Sequence, residues 1–241
     1  MLSAIPVRIY EIPALIPEHA LTGCTAVVID VLRATSAMIT ALHHGCKEII
    51  PVVSIEDAGV KRKEMDAFSP LLCGEREGKR IPGFDLGNSP LEYTKESVAG
   101  RTLIWTTTNG TKALHAATGA DNILVAALLN VNATAQAALD TGKPVVIICA
   151  GTHGEPTLED TVCAGLIVGQ MQALDDRVEA DEHCRQVIGI AGQWQSDIKS
   201  MFLASKHGKY LQSIGFAKDL EYCARINSID KQVGFQDNRV K

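Results

Sequence analysis

The sequence has no Cys-x-x-Cys pair, although it contains seven cysteines: Cys24, Cys46, Cys73, Cys149, Cys163, Cys184 and Cys223. Their odd number and scattered spacing argue against a disulfide framework or a zinc site. They predict reduced thiols, as in a cytoplasm. Aromatic residues are only 5% of the chain, which leaves no obvious stacking platform for a nucleobase. Basic residues form no stripe, and the net charge is −5, so neither nucleic acid nor an anionic membrane is an expected partner. No apolar run reaches bilayer-spanning length. Met1 to Pro6 carry neither the basic start nor the apolar core of a secretory signal. Gly-x-Gly-x-x-Gly and Gly-x-Ser-x-Gly are both missing. Gly74 to Arg80 imitates a P-loop, but its glycine spacing is one residue short and Arg80 replaces the Ser/Thr that would hold Mg²⁺.

What is present is a chain of 241 residues, 46% hydrophobic and 21% charged, enough for one α/β domain with a substantial core. Short β-branched runs predict strands at 7–12, 25–31, 48–53, 70–73, 102–105, 122–126 and 144–149. Helical periodicity fills 34–44, 54–68, 112–117 and 130–140, with Ser54 and Asp57 as a capping box. Alternating strands and helices predict a three-layer αβα fold with a mostly parallel or mixed sheet. From Leu158 onward the patterns are helical, at about 158–174, 179–190, 194–204 and 206–224. A single domain over 1–241, with 158–224 mainly helical, is the simplest organisation. Residues 74–90 have no period and predict a long ordered loop.

In an open α/β sheet, ligands bind beyond the carboxyl ends of the strands. Each predicted strand end carries polar groups: Asp30, Arg33 and Thr35; Glu75 and Arg76; Thr106 to Thr111; Asn130; and Gly151 to His153, followed by Glu159 and Asp160. Thr106-Thr107-Thr108-Asn109-Gly110-Thr111 stands where a strand hands over to a helix, a place suited to an oxyanion. Each feature also has a plainer reading. Asp30 could cap a helix, Arg33 could be a surface residue, and Asn88 could close an Asx-turn before Pro90. Thr157 to Asp160 fits a capping box, and the threonine turn could simply cap the next helix. Cys149 lacks the Cys-x5-Arg loop of a thiol phosphatase, because Glu155 occupies the sixth position, and it reads as packing.

In chain order, Asp30-Val-Leu-Arg33-Ala-Thr35, Gly74-Glu-Arg76, Gly83-Phe-Asp-Leu-Gly-Asn88-Ser-Pro90, Thr106-Thr-Thr-Asn-Gly-Thr111, Cys149-Ala-Gly151, Leu158-Glu-Asp160 and Ser205-Lys-His-Gly208 resemble the 2-phosphosulfolactate phosphatase family. The resemblance spans roughly residues 25–220. Thr157 departs mildly from the small residue, such as serine, expected before Leu158. The resemblance implies a Mg²⁺-dependent phosphatase that releases sulfolactate and phosphate on a route to coenzyme M. Related 2-phospho-hydroxyacids are further substrates to expect, and a small anionic phosphorylated molecule is the implied partner.

With that reaction in view, Asp30, Glu75 and Asp160 are the candidate catalytic residues, and Asp30, Glu159 and Asp160 the candidate metal ligands. Arg33, Thr35, Thr107, Thr108, Asn109, Gly110 and Thr111 are expected to bind the phosphoryl group, and Arg76 and Asn88 the acid tail. Either Asp30 or a metal-bound water could attack phosphorus. The absence of an Asp-x-Asp pair (position 32 is Leu32) favours water. A non-catalytic binder of a phosphorylated metabolite is the competing reading, and four acids at strand ends suit it poorly unless a metal bridges them. The helical C-terminal third could support a homodimer.

Overall fold

The computed structural model describes residues 3–241. Its strands in chain order are β1 (Ile5–Tyr10), β2 (Thr25–Ile29), β3 (Glu48–Pro51), β4 (Leu71–Arg76), β5 (Lys79–Arg80), β6 (Thr102–Thr106), β7 (Asn122–Ala126), β8 (Val145–Cys149), β9 (Val178–Ala180), β10 (Phe235–Gln236) and β11 (Arg239–Val240). They form two sheets. One is wholly parallel, in the order β7-β2-β8-β1-β9. The other runs β10-β11-β3-β6-β4-β5, parallel at its centre and antiparallel at its ends.

The α-helices are α1 (Ala34–His43), α2 (Ile55–Glu64), α3 (Lys95–Val98), α4 (Gly110–Ala116), α5 (Val131–Asp140), α6 (Leu158–Leu174), α7 (Glu182–Trp194), α8 (Ile198–Ala204), α9 (Lys206–Ser213) and α10 (Ala217–Cys223). Alternation along the central strands explains the layers. Val27, Ile29, Val145 and Ile147 point into one core, with α5 to α10. Ala26, Val28, Val146 and Ile148 point into the other, which they share with α1, α4 and the second sheet. Each sheet therefore has helices on both faces, as a three-layer α/β arrangement requires, and α1 and α4 lie between the two sheets.

Helix α1 is buried from Ala34 to Leu42, as expected of a helix between two sheets. Its hydroxyls are satisfied locally: Ser36 donates to the Val31 carbonyl and Thr40 to the Ser36 carbonyl, each at 2.7 Å.

Several boundaries differ from the sequence reading. Instead of one sheet there are two, because β2 and β3 go to different sheets on either side of α1. The loop predicted over 74–90 opens as a hairpin: β4 continues to Arg76 and pairs with β5 around Glu77 and Gly78, both left-handed. The helix expected at 179–190 is displaced. Residues 178–180 extend the parallel sheet as β9, and Asp181 caps α7 through the Cys184 amide (2.8 Å). The helix expected over 194–204 begins only at Ile198, under an Asp197 cap. The one expected over 206–224 breaks into α9 and α10 at Gly215, where φ is +95°.

Candidate active site

The carboxyl ends of β2, β4, β6 and β8 meet at the seam between the two sheets. Asp30 leaves β2 and is 8% exposed. Thr35 secures it from the first turn of α1: its hydroxyl donates to the Asp30 carbonyl (2.8 Å) and accepts the Asp30 amide (3.0 Å). The Asp30 carboxylate accepts the Ala34 amide at 3.3 Å. Its other oxygen lies against Gly110, where an added Cβ would come within 2.8 Å of Oδ2 and 2.7 Å of the Ala34 Cβ. Glycine at this position thus lets the first turn of α4 close onto Asp30.

The threonine turn is braced internally. The Thr107 amide donates to Thr111 Oγ1 (2.8 Å), and the Thr111 amide returns a bond to Thr107 Oγ1 (3.2 Å). Neither Asn109 nor Gly110 has a positive φ, so the turn does not rest on left-handed geometry. The Thr108 amide donates to Glu75 Oε1 (2.8 Å), while Glu75 Oε2 accepts the Gly78 amide (2.8 Å). Thr108 Oγ1 is buried and has no hydrogen-bond partner.

Asp160, in the first turn of α6, joins two strand ends: Oδ1 accepts the Val31 amide (2.8 Å) and Oδ2 the Gly151 amide (3.2 Å). Glu159 beside it is 2% exposed, and its Oε2 has no partner. Three of these acids hold their protons more tightly than a free carboxylate does. Burial first, then the charges of Asp160, Glu75 and Glu159, push Asp30 well above the usual carboxylate range. Burial and Asp160 lift Glu159 to about 7, and burial lifts Asp160 to about 6.

A cavity of about 580 Å³ opens over this ground. Of the residues anticipated from the sequence, Asp30, Glu75, Arg76, Thr108 and Asn109 line it. Thr35, Thr107, Gly110 and Thr111 are beneath the lining and hold it in shape. Glu159 opens onto an adjoining cavity instead. Asn88 does not line the cavity; it is buried, with Oδ1 unpartnered. Arg76 keeps its guanidinium near home, donating to the Glu75 carbonyl (2.7 Å) and to Thr106 Oγ1 (3.0 Å). Arg33 lies beneath the floor. Its guanidinium pairs with buried Asp219, donates to the Gly78 carbonyl and stacks 4.0 Å from the Phe216 ring centroid. Asp219 also accepts from Ser89 Oγ (2.7 Å), so Arg33 ties α10 to the 74–90 segment. Cys149 is fully buried and its thiol is pushed up by burial, which fits packing.

The structure adds residues not assigned from the sequence. His153, His207 and Tyr210 line the cavity. His207 is lowered to about 4, by burial first and then by Arg33, so its ring is neutral above that pH. The only signal of it was the Ser205-Lys-His-Gly208 string, and no spacing rule connects that string to Asp30. Asp219 gave no signal, being 186 positions from Arg33.

Among the described residues, no three His, Cys, Asp or Glu side chains gather as a ready-made metal cage. Mg²⁺ does not need one, since it binds through one or two carboxylates, waters and substrate phosphate. Mutually repelling buried acids and an orphaned Glu159 oxygen are the donor chemistry a divalent cation would relieve.

Comparison with known proteins identifies the family of the chain. The family pattern described as 2-phosphosulpholactate phosphatase matches residues 10–238. A probable 2-phosphosulfolactate phosphatase of Clostridium acetobutylicum is 40% identical over 210 residues, 87% of this chain and 88% of its own. One from Thermotoga petrophila is 43% identical over 201 residues, 83% of each chain. Another, from Caldanaerobacter subterraneus, is 38% identical and covers 92% of this chain and 91% of its own. The α/β scaffold with its acidic strand ends is that of a phosphoric monoester hydrolase. The chain belongs to the 2-phosphosulpholactate phosphatase family.

Proposed function

We propose that this chain hydrolyses 2-phosphosulfolactate, or a related 2-phospho-hydroxyacid, to the free hydroxy acid and phosphate, with Mg²⁺ as cofactor. The observation that carries this reading is that Asp30 and Glu75 line one cavity beneath the threonine turn, with Asp160 joining the neighbouring strand ends and Glu159, on the adjoining cavity, keeping Oε2 without a donor. A site for an anion alone has no use for so many acids.

In this reading Asp30 and one or both of Glu159 and Asp160 hold the cation, which neutralises charge and acidifies water when bound. The Thr108 hydroxyl and the Asn109 side chain offer donors to the phosphoryl oxygens, placed before charge develops on them. Glu75 fixes the turn from below through the Thr108 amide and faces Asp30 as a candidate proton acceptor. Arg76 supplies positive charge at the wall and can turn toward the acid tail. Arg33 acts through Asp219 and Gly78, holding the floor on which Asp30 rests. Asn88 remains a candidate for the acid tail only if the 83–90 segment shifts.

The experiment is phosphate release from 2-phosphosulfolactate and 2-phospholactate by chelated enzyme, with Mg²⁺ then added back. Release that is lost on chelation and restored by Mg²⁺ is expected. Tight binding of either ester without turnover would favour a metabolite-binding protein instead.

A further inference from the structure

The cavity over Asp30 and Glu75, about 580 Å³, already has the size of a site for a whole small ligand, on the order of 300–1,000 Å³. A second cavity of about 590 Å³ adjoins it, and Thr152, His153, His207 and Tyr210 border both. Neither the methyl group of 2-phospholactate nor the short sulfonated arm of 2-phosphosulfolactate fills that added space. At the border the His207 ring is neutral above a pH of about 4. Tyr210 donates its hydroxyl to the Glu77 carbonyl (3.0 Å), which anchors its ring there. Beyond the border the surface is mostly apolar, with Pro156 and Leu158 at the opening of α6 and Ala204 at the end of α8. Glu155 and Lys206 also line the chamber, but both are exposed and keep their charges in water. Glu159, its one buried acid, is committed to the cation in the hydrolase reading.

We propose that the second chamber takes the substituent on C2 of the ester and accepts a large apolar group there. Phosphorylated 2-hydroxy acids with branched or aromatic side chains are then substrates. The inference rests on the hydrolase reading: the phosphoryl group lies at the threonine turn, and the carboxylate stays in the first chamber with Arg76. An apolar side chain gains by leaving water for the wall of Pro156, Leu158 and Ala204 and for the Tyr210 ring. No hydrogen bond is asked of it. Esters with a methyl group or a short sulfonated arm leave the chamber part-filled and remain substrates.

The test compares phosphate release from 2-phospholactate, 2-phospho-4-methylpentanoate and 2-phospho-3-phenyllactate. The three share the phosphoryl group and the carboxylate and differ only in the C2 substituent. The expected result is kcat/KM about tenfold or more higher for the two larger esters than for 2-phospholactate. Ala204→Trp places a side chain in the chamber from an exposed position. It should lower kcat/KM for the phenyllactate ester about tenfold more than for 2-phospholactate. Larger esters that are turned over no better than 2-phospholactate, or an advantage that Ala204→Trp leaves intact, would overturn the proposal while the hydrolase reading stands. If no ester releases phosphate, the hydrolase reading fails, and the chamber is judged by calorimetry with the same esters. Binding of the phenyllactate ester about tenfold tighter than 2-phospholactate, lost in Ala204→Trp, then upholds it; equal binding or none overturns it.

Discussion

Thr108 divides its two donors: its amide serves the protein, through Glu75, and its hydroxyl, buried and unpartnered, is free for a ligand. Thr108→Val keeps the shape and the amide and removes only the hydroxyl. It is expected to lower kcat/KM for the phosphate ester roughly tenfold, in line with one lost hydrogen bond to a charged group. Unchanged steady-state kinetics would remove Thr108 from the phosphoryl site. Arg33 behaves differently, because its guanidinium is buried against Asp219. Asp219→Ala leaves that cation without its partner and should destabilise the fold by about 3–5 kcal/mol in urea unfolding. Arg76→Ala is expected to impair a sulfonated ester more than a simple phosphate; equal losses in kcat/KM would reassign that residue.

At the scale of elements, α4 and β2 approach so closely that position 110 has no room for a side chain. Gly110→Ala must separate α4 from α1 or push the Asp30 carboxylate aside. A stability loss of about 1–3 kcal/mol from overpacking is expected, with a larger fractional loss of phosphate release; wild-type values for both would contradict the contact. The threonine turn was legible because a strand, a hydroxyl-rich junction and a helix follow one another in sequence, and local chemistry fixes such a junction. The same holds for Asp30 and Thr35, five residues apart and bonded to each other. Asp219 and His207 were not legible as site residues: they reach the site through the packing of α9 and α10, and packing partners far apart in sequence leave no periodic trace. The strand at Val178–Ala180 was hidden for a similar reason, since three residues carry too little alternation to outweigh the helical pattern beginning at Glu182. The two-sheet arrangement was missed because β-branched runs reveal strands but not which sheet each strand joins.

Across the whole molecule, the acid cluster links stability to pH. Glu159 rises from 4.5 to about 7 and Asp160 from 3.8 to about 6 on folding. Between those limits the folded state binds more protons than the unfolded state, so stability falls as pH rises. The contribution is fully present below about 4 and is lost as pH passes through about 6 and then 7. Thermal unfolding of the chelated protein should therefore show Tm decreasing from pH 5 to pH 8. Mg²⁺ at pH 8 is expected to restore part of the loss by neutralising the cluster. A Tm that is flat across this range would mean the acids do not interact as described.

Asp30 is the point where β2, α1, α4 and the cavity meet, and it supports the central claim that the acids beneath the threonine turn carry out phosphate ester hydrolysis. The most direct measurement is phosphate release from 2-phosphosulfolactate by Asp30→Asn in saturating Mg²⁺, with circular dichroism and Tm recorded on the same sample. A folded protein with phosphate release lost to the detection limit is predicted. A folded Asp30→Asn enzyme that turns over near the wild-type rate would contradict the account.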